Sequence, residues 1–276
     1  MRKLARKMVV GIMTGVMLFG CLTLGGCGKK EEQSVYEKIQ KDGKLVVGMN
    51  AEFAPFEFHM NVDGEDQVVG LDISLAEQIA KDLGVELEIK EMEFDPLIQN
   101  LKAGQVDVVI SALVPSEERK QQVDFSDVYF SDSNVALINA NKASEYKSID
   151  DLKGARICYQ LGSYQEDVTK QVFGEDNLTV LDSTNTILLA LKADQIDAFI
   201  TSKTVAEQAM AADKDYSYVE SDTLRTEEDG CAVAIPKGEE ELQKAINDTI
   251  KRLTDSGEMD QYVKDACELA AKNVEE

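Results

Sequence analysis

Two spacings of apolar residues alternate along the chain. Leu75, Ala76, Ile79, Ala80 and Leu83 recur at intervals that put them on one face of a helix, which Gly84 ends. Residues 44–48, 85–89 and 106–110 are short apolar runs between turn residues, as buried strands are. Ahead of them, 35–42 reads as a short amphipathic helix closed by Gly43. Asp95 reads as a helix cap, with Pro96 at the first position, Leu97, Ile98 and Leu101 on the apolar face and Gly104 at the end. Residues 50–58 read as an aromatic-rich loop in which Pro55 excludes a regular ladder position, and Asp63 and Gly64 mark a turn. Strand, helix, strand, helix, strand predicts an α/β unit with parallel neighbours.

The pattern then repeats. Residues 135–138 read as a strand crossing between lobes. From Asp150 a second unit follows: strand 156–159, a helix opened by Gly162 and Ser163 and running to Phe173, strand 178–181, helix 184–191, strand 196–201 and helix 204–211. Residues 101–111, LKAGQVDVVIS, are echoed by residues 191–201, LKADQIDAFIT, which puts an equivalent helix end, turn and buried strand in each half. Residues 231–235 read as a return strand, with helices at 240–255 and 258–272 after it. The expectation is an α/β chain of two lobes, 36–132 with 231–276 in one and 133–230 in the other. Strand C-termini facing a cleft between such lobes are where a small ligand binds. Two crossings between the lobes make a hinge.

Composition narrows the classes. Hydrophobic residues at 43% and charged residues at 29% are globular proportions. A formal net charge of −23 argues against nucleic acid as a partner, since phosphate repels such a surface. Arg2, Lys3, Arg6 and Lys7 precede an apolar stretch, 8–24, and small residues before Cys27, the layout of a secretory leader. The run Leu24, Gly25, Gly26, Cys27 resembles a bacterial lipobox. On that reading 1–26 is a lipoprotein signal peptide, Cys27 is lipidated, and 27–35 tethers the chain to the extracellular face of the cell membrane. A plain signal peptide or an N-terminal anchor shares the layout. Cys21 is a weaker lipidation candidate because Phe19 is bulky for that site. Of the remaining thiols, Cys158 and Cys231 lie in strand-like runs and Cys267 on a late helix. They read as small buried hydrophobes, with one disulfide as the alternative. His59 is the single histidine and no CxxC spacing occurs, so neither a metal nor a cofactor is expected.

Candidate chemistry begins at residues 106–119, VDVVISALVPSEER. A strand-like run leads through a short turn into a helix start at Ser116, with Arg119 in the first turn. Helix N-termini favour anions, and acids rather than bases suit that end. Arg119 therefore reads as completing an anion pocket, since a guanidinium grips a carboxylate through two parallel hydrogen bonds. The plain alternative pairs it with Glu117 or Asp124.

The segment GLDISLAEQIAKDLG, with VGMNAEFAPFEF, LIQNLKAGQVDVVIS, SEERKQQVDFSDVYF and DDLKGARICYQLGSYQE, resembles bacterial extracellular solute-binding proteins of family 3. The similarity runs over about residues 43–265. It implies the type II periplasmic-binding-protein fold, two α/β lobes on a two-strand hinge. It also implies capture of an amino acid, or a related carboxylate, for an ABC transporter permease. Arg119 would hold the ligand carboxylate, helped by the hydroxyl and backbone N–H groups of Ser163 and Tyr164. Phe53 and Phe94 match the aromatic pair that sandwiches the ligand side chain, and Asn50 a position touching its far end. Ser111, Ala112 and Gln160 complete the carried-over set with Val114 and Ser202.

Three positions depart from the pattern. Ser74 replaces an acidic residue on what reads as helix surface. Val114 stands where a hydroxyl usually helps hold the α-ammonium, and Ser202, followed by Lys203, where its carboxylate counter-ion usually stands. An ammonium buried without a carboxylate costs several kcal/mol. Either the ligand amine is modified, missing or displaced, or another acid such as Glu52 or Glu57 substitutes. Two other functions share the fold: a sensor component, and a cyclohexadienyl-dehydratase-like enzyme using Glu52 or Glu57 as general acid. The sequence offers no nucleophile–base pair for catalysis.

Overall fold

The computed structural model describes residues 33–226 and 230–273. The leader, Cys27 and most of the tether lie outside the described residues, as does the acidic stretch 227–229. Ser34 accepts the Glu37 N–H and Glu37 returns a bond to the Ser34 N–H, a capping box that starts α1 (Val35–Asp42). The first lobe continues through β1 (Lys44–Met49), β2 (Glu52–Phe53), β3 (Glu57–Val62), β4 (Glu65–Val69), α2 (Leu71–Leu83), β5 (Glu86–Glu91), α3 (Leu97–Lys102), β6 (Val108–Val109), α4 (Glu117–Gln122) and β7 (Asp124–Phe130). The second holds β8 (Asn134–Asn139), β9 (Ile157–Gln160), α5 (Gln165–Phe173), β10 (Leu178–Leu181), α6 (Thr184–Lys192), β11 (Ala198–Ser202), α7 (Lys203–Ala212) and β12 (Tyr216–Glu220). The chain then returns to the first lobe in β13 (Cys231–Ile235), followed by α8 (Glu240–Ser256) and α9 (Glu258–Lys272).

Each lobe is built on a five-stranded sheet, ordered β5-β1-β6-β13-β7 in the first and β10-β9-β11-β8-β12 in the second. The strands β1, β5 and β6 are parallel, as are β9, β10 and β11, while β13 and β8 enter antiparallel. Strands β8, β9, β11 and β13 are buried at every residue. Both sheet faces there are covered by helices, so an unbroken apolar run suits them better than alternation. In the first lobe Leu75 and Ile79 of α2 pack with Val47, Val233, Leu242 and Ile246; in the second, Ile187 and Leu191 of α6 pack with Val135 and Phe199.

The structure differs from the sequence reading at particular places. Residues 50–58 are not all loop, because β2, β3 and β4 form a small antiparallel sheet, with the expected turn at Asp63 and Gly64. Asp95 does not cap α3; the helix starts one residue later, with Pro96 at the cap and no side-chain cap bond. The segment 135–138 belongs to the second sheet, and the crossing itself is made by residues 131–133. Among the described residues Cys158, Cys231 and Cys267 are free. Burial raises the Cys158 thiol to about 12, so it is protonated and inert at neutral pH.

Candidate functional site

The C-terminal ends of β1, β6, β9 and β11 all open on one side, and the two lobes meet there. Asn50, Phe53, Phe94, Ser111, Ala112, Val114, Arg119, Gln160, Ser163, Tyr164 and Ser202, each named from sequence, line a single cavity between them. Its free volume is about 40 Å³, so the lobes are nearly shut on each other. Two hydrogen bonds span the gap: Arg119 to the Gly162 carbonyl at 2.8 Å and Gln160 Nε2 to Asn50 Oδ1 at 3.2 Å.

Arg119 comes to the cavity because Ser116 caps α4, its hydroxyl accepting the Arg119 N–H. The side chain is 8% exposed, donates to the Val114 carbonyl at 2.8 Å, and lies 5.6 Å from the Phe94 ring centre. It does not pair with Glu117 or Asp124, which hold Lys120 and Lys237. Burial lowers its pKa to about 10, which leaves it charged at neutral pH. Carbonyl oxygens carry no full charge. The buried guanidinium therefore still lacks an anion, and a ligand carboxylate supplies one.

Ser111 is fully buried, but its hydroxyl is turned away from the cleft. It accepts the Asn50 N–H at 3.0 Å and donates to Glu57 Oε1 at 2.7 Å. The next residue, Ala112, has φ +44°, and its N–H donates to Asp72 Oδ2 at 2.7 Å. An alanine in that region is strained, and the buried carboxylate holds it there. Ser111 thus shapes the turn rather than offering a hydroxyl. Asn50 is likewise occupied, donating to the Met92 carbonyl while accepting from Gln160.

On the facing lobe, the Ser163 N–H is spent on the Gln160 carbonyl, but its buried hydroxyl has no partner. Thr201 has the same character: it lines the cavity, is 1% exposed and its hydroxyl is unpartnered. Thr201 was absent from the sequence-derived set, yet the echo between the halves aligns it with Ser111. Asp132, on the crossing segment, was missed as well and is the acidic residue among those lining the cavity. It accepts the Ser133 and Thr204 N–H groups, which fix its carboxylate at the start of α7. Ser202 caps α7 by accepting the Val205 N–H, and Lys203 turns out to Glu220. Val114 presents only methyl groups. Glu57 lies behind Ser111, and Glu52 lines a neighbouring chamber rather than this one. Among the described residues no group of three or more His, Cys, Asp or Glu is placed to hold a metal ion.

Residues 45–266 match the model of bacterial extracellular solute-binding proteins, family 3. The arginine-binding extracellular protein ArtP of Bacillus subtilis is 35% identical over 90% of this chain and 95% of its own length. The L-cystine-binding protein TcyJ of Escherichia coli K12 is 30% identical over 92% of each chain. Among solved structures, the amino acid ABC transporter substrate-binding protein AbpA of Streptococcus pneumoniae, bound to L-arginine, has a TM-score of 0.81. It is 36% identical, with 85% of this chain and 99% of that one covered. With two α/β lobes closed over a guanidinium-lined cleft, this chain belongs to the bacterial extracellular solute-binding proteins of family 3.

Proposed function

We propose that the protein captures an amino acid or a closely related carboxylate in the inter-lobe cleft and hands it to an ABC importer, held to the membrane by lipid at Cys27. The observation that carries the ligand class is Arg119, buried in the cleft wall, charged, and bonded only to carbonyl oxygens. The unpartnered hydroxyls of Ser163 and Thr201 suit the same carboxylate. The relatives named are binding proteins, and Glu57, sealed behind Ser111, is out of reach of a substrate as general acid; both favour binding over catalysis.

Two readings of the amine follow from different residues. Val114 and the capped Ser202 favour a ligand whose amine is substituted or absent. Asp132 favours an ordinary α-ammonium, held from the crossing segment instead of from the β11 end. A thermal-shift panel of L-amino acids with their N-acetyl and deaminated analogues separates them. Strong stabilisation by unmodified amino acids alone, weakened about tenfold or more by Asp132→Asn, selects Asp132. Arg119→Lys should weaken either ligand class about 100-fold by calorimetry, because an ammonium cannot hold both carbonyls and a bidentate carboxylate. Unchanged affinity in that variant, or a panel with no stabilising carboxylate, sinks the proposal. Delivery is tested by uptake of labelled ligand into cells, which must require both this protein and an ATP-driven permease.

A further inference from the structure

The cleft has a second compartment. Beyond the Asn50–Gln160 hydrogen bond lies a chamber of about 490 Å³, and Asn50 lines both spaces. Its walls come from both lobes. Glu52, Glu91 and Glu93 stand on the first, and Thr184 and Gln208 on the second. No Lys or Arg lines it; His59 does, bonded to Glu91 and Asp66. Unpartnered buried atoms gather here: Glu52 Oε2, the Thr184 hydroxyl and Gln208 Nε2. Thr184 is 1% exposed. A buried polar atom left without a hydrogen bond costs about 1–3 kcal/mol. Three such atoms from two lobes around one space call for an occupant that bonds to them. A carboxylate and a hydroxyl oxygen accept, and the walls are acidic, so the occupant that fits is a donor carrying positive charge.

Resting on the carboxylate reading of the inner cavity, we infer that this chamber is a second subsite, which receives the cationic end of an extended ligand, with Glu52 as its counter-ion and the Asn50–Gln160 pair as the partition the ligand displaces. The inner cavity takes the carboxylate, and Phe53 and Phe94 flank the middle of the molecule. A ligand longer than an ordinary amino acid then joins the two spaces.

Two isosteric pairs test this by calorimetry on the whole secreted chain. L-Lysine and L-norleucine differ by an ammonium against a methyl group at ordinary length. ε-N-Glycyl-L-lysine and ε-N-propionyl-L-lysine differ in the same way at a length that reaches the chamber. The long ammonium ligand should bind about tenfold or more tightly than its methyl partner. Glu52→Gln should erase that preference and leave norleucine binding unchanged. Thr184→Val should reduce the preference and provides a second variant should the first misfold. Equal binding of the long pair, which is what a chamber holding only solvent gives, overturns the inference. So does a preference that survives Glu52→Gln, or failure of both long ligands while norleucine binds. If none of the four binds to folded protein, the carboxylate reading falls, and this one with it.

Discussion

At the scale of single residues, Glu57 and Asp72 organise the turn that carries the site. Asp72 is fully buried, accepting from the Ala112 N–H and the Tyr129 hydroxyl at 2.8 Å, and Glu57 is 1% exposed. Burial, and then the nearby Asp72, raise the Glu57 carboxyl well above its usual range. Glu57 Oε2 meets no donor, and facing Asp72 it is satisfied only by carrying the proton itself. The sign of the pH dependence follows. A folded pKa above the unfolded value means the native state binds the extra proton, so stability is full at low pH and falls as pH rises through the folded value. Glu57→Gln supplies a permanent donor in the same shape. It should keep the wild-type melting temperature near pH 5 and lose less stability between pH 5 and pH 9. Parallel melting curves for the two proteins across that range would refute the shared proton.

At the scale of elements, the internal echo is structural as well as textual. Asp107 and Asp197 each stand just before the central strand of a sheet, 2% and 8% exposed. Each carboxylate accepts a backbone N–H from the neighbouring strand segment, Val46 in one lobe and Arg156 in the other, both at 2.9 Å. The second copy is more heavily charged: Asp197 also accepts from the Arg156 guanidinium and from Lys142. Those partners, Arg156 foremost, hold the Asp197 carboxyl well below the usual carboxylate range. A depressed acid contributes stability above its unfolded pKa of about 4, and that contribution is lost as pH falls from there. Asp197→Asn should cost about 2–3 kcal/mol in urea unfolding at pH 7 and remove part of the acid sensitivity. Asp107→Asn, with one exposed Lys partner, should cost less; a reversed order would show the two units to be only superficially alike. Such repeats were legible because buried parallel strands and helix faces write long apolar signals. The small sheet β2–β4 was not, since two of its strands are mostly exposed and Pro55 interrupts the first pair. Strands β7 and β12 escaped for a similar reason, acids and serines breaking their apolar alternation. At the site, side-chain types pointed to the right positions. Where each hydrogen bond goes, as with Ser111 turning inward and Asp132 entering from the crossing segment, depends on partners far away in sequence.

At the scale of the whole molecule, function rests on a closed form being accessible but not obligatory, and Gly162 is where the lobes come nearest in backbone terms. Its carbonyl receives Arg119, and a Cβ added there would lie 2.6 Å from Asp95 Oδ1 and 2.9 Å from the Asp95 Cα, on the opposite lobe. The second contact is backbone, so no side-chain rotation relieves it. Gly162 also has φ +73°, which alone costs a non-glycine residue about 1 kcal/mol or more. Gly154 separates the two effects: it has φ +83° with nothing within 4 Å of an added Cβ. Gly154→Ala should therefore lower the melting temperature without changing ligand affinity. Gly162→Ala should lower it similarly but also oppose closure, and ligand affinity falls with the fraction of closed form that remains accessible. The expected loss is about tenfold to 100-fold, with small-angle scattering at saturating ligand reporting a radius of gyration that stays near the unliganded value. Wild-type affinity and full compaction in Gly162→Ala would mean that the lobes close on the ligand in a geometry other than this one, with Gly162 held away from Asp95.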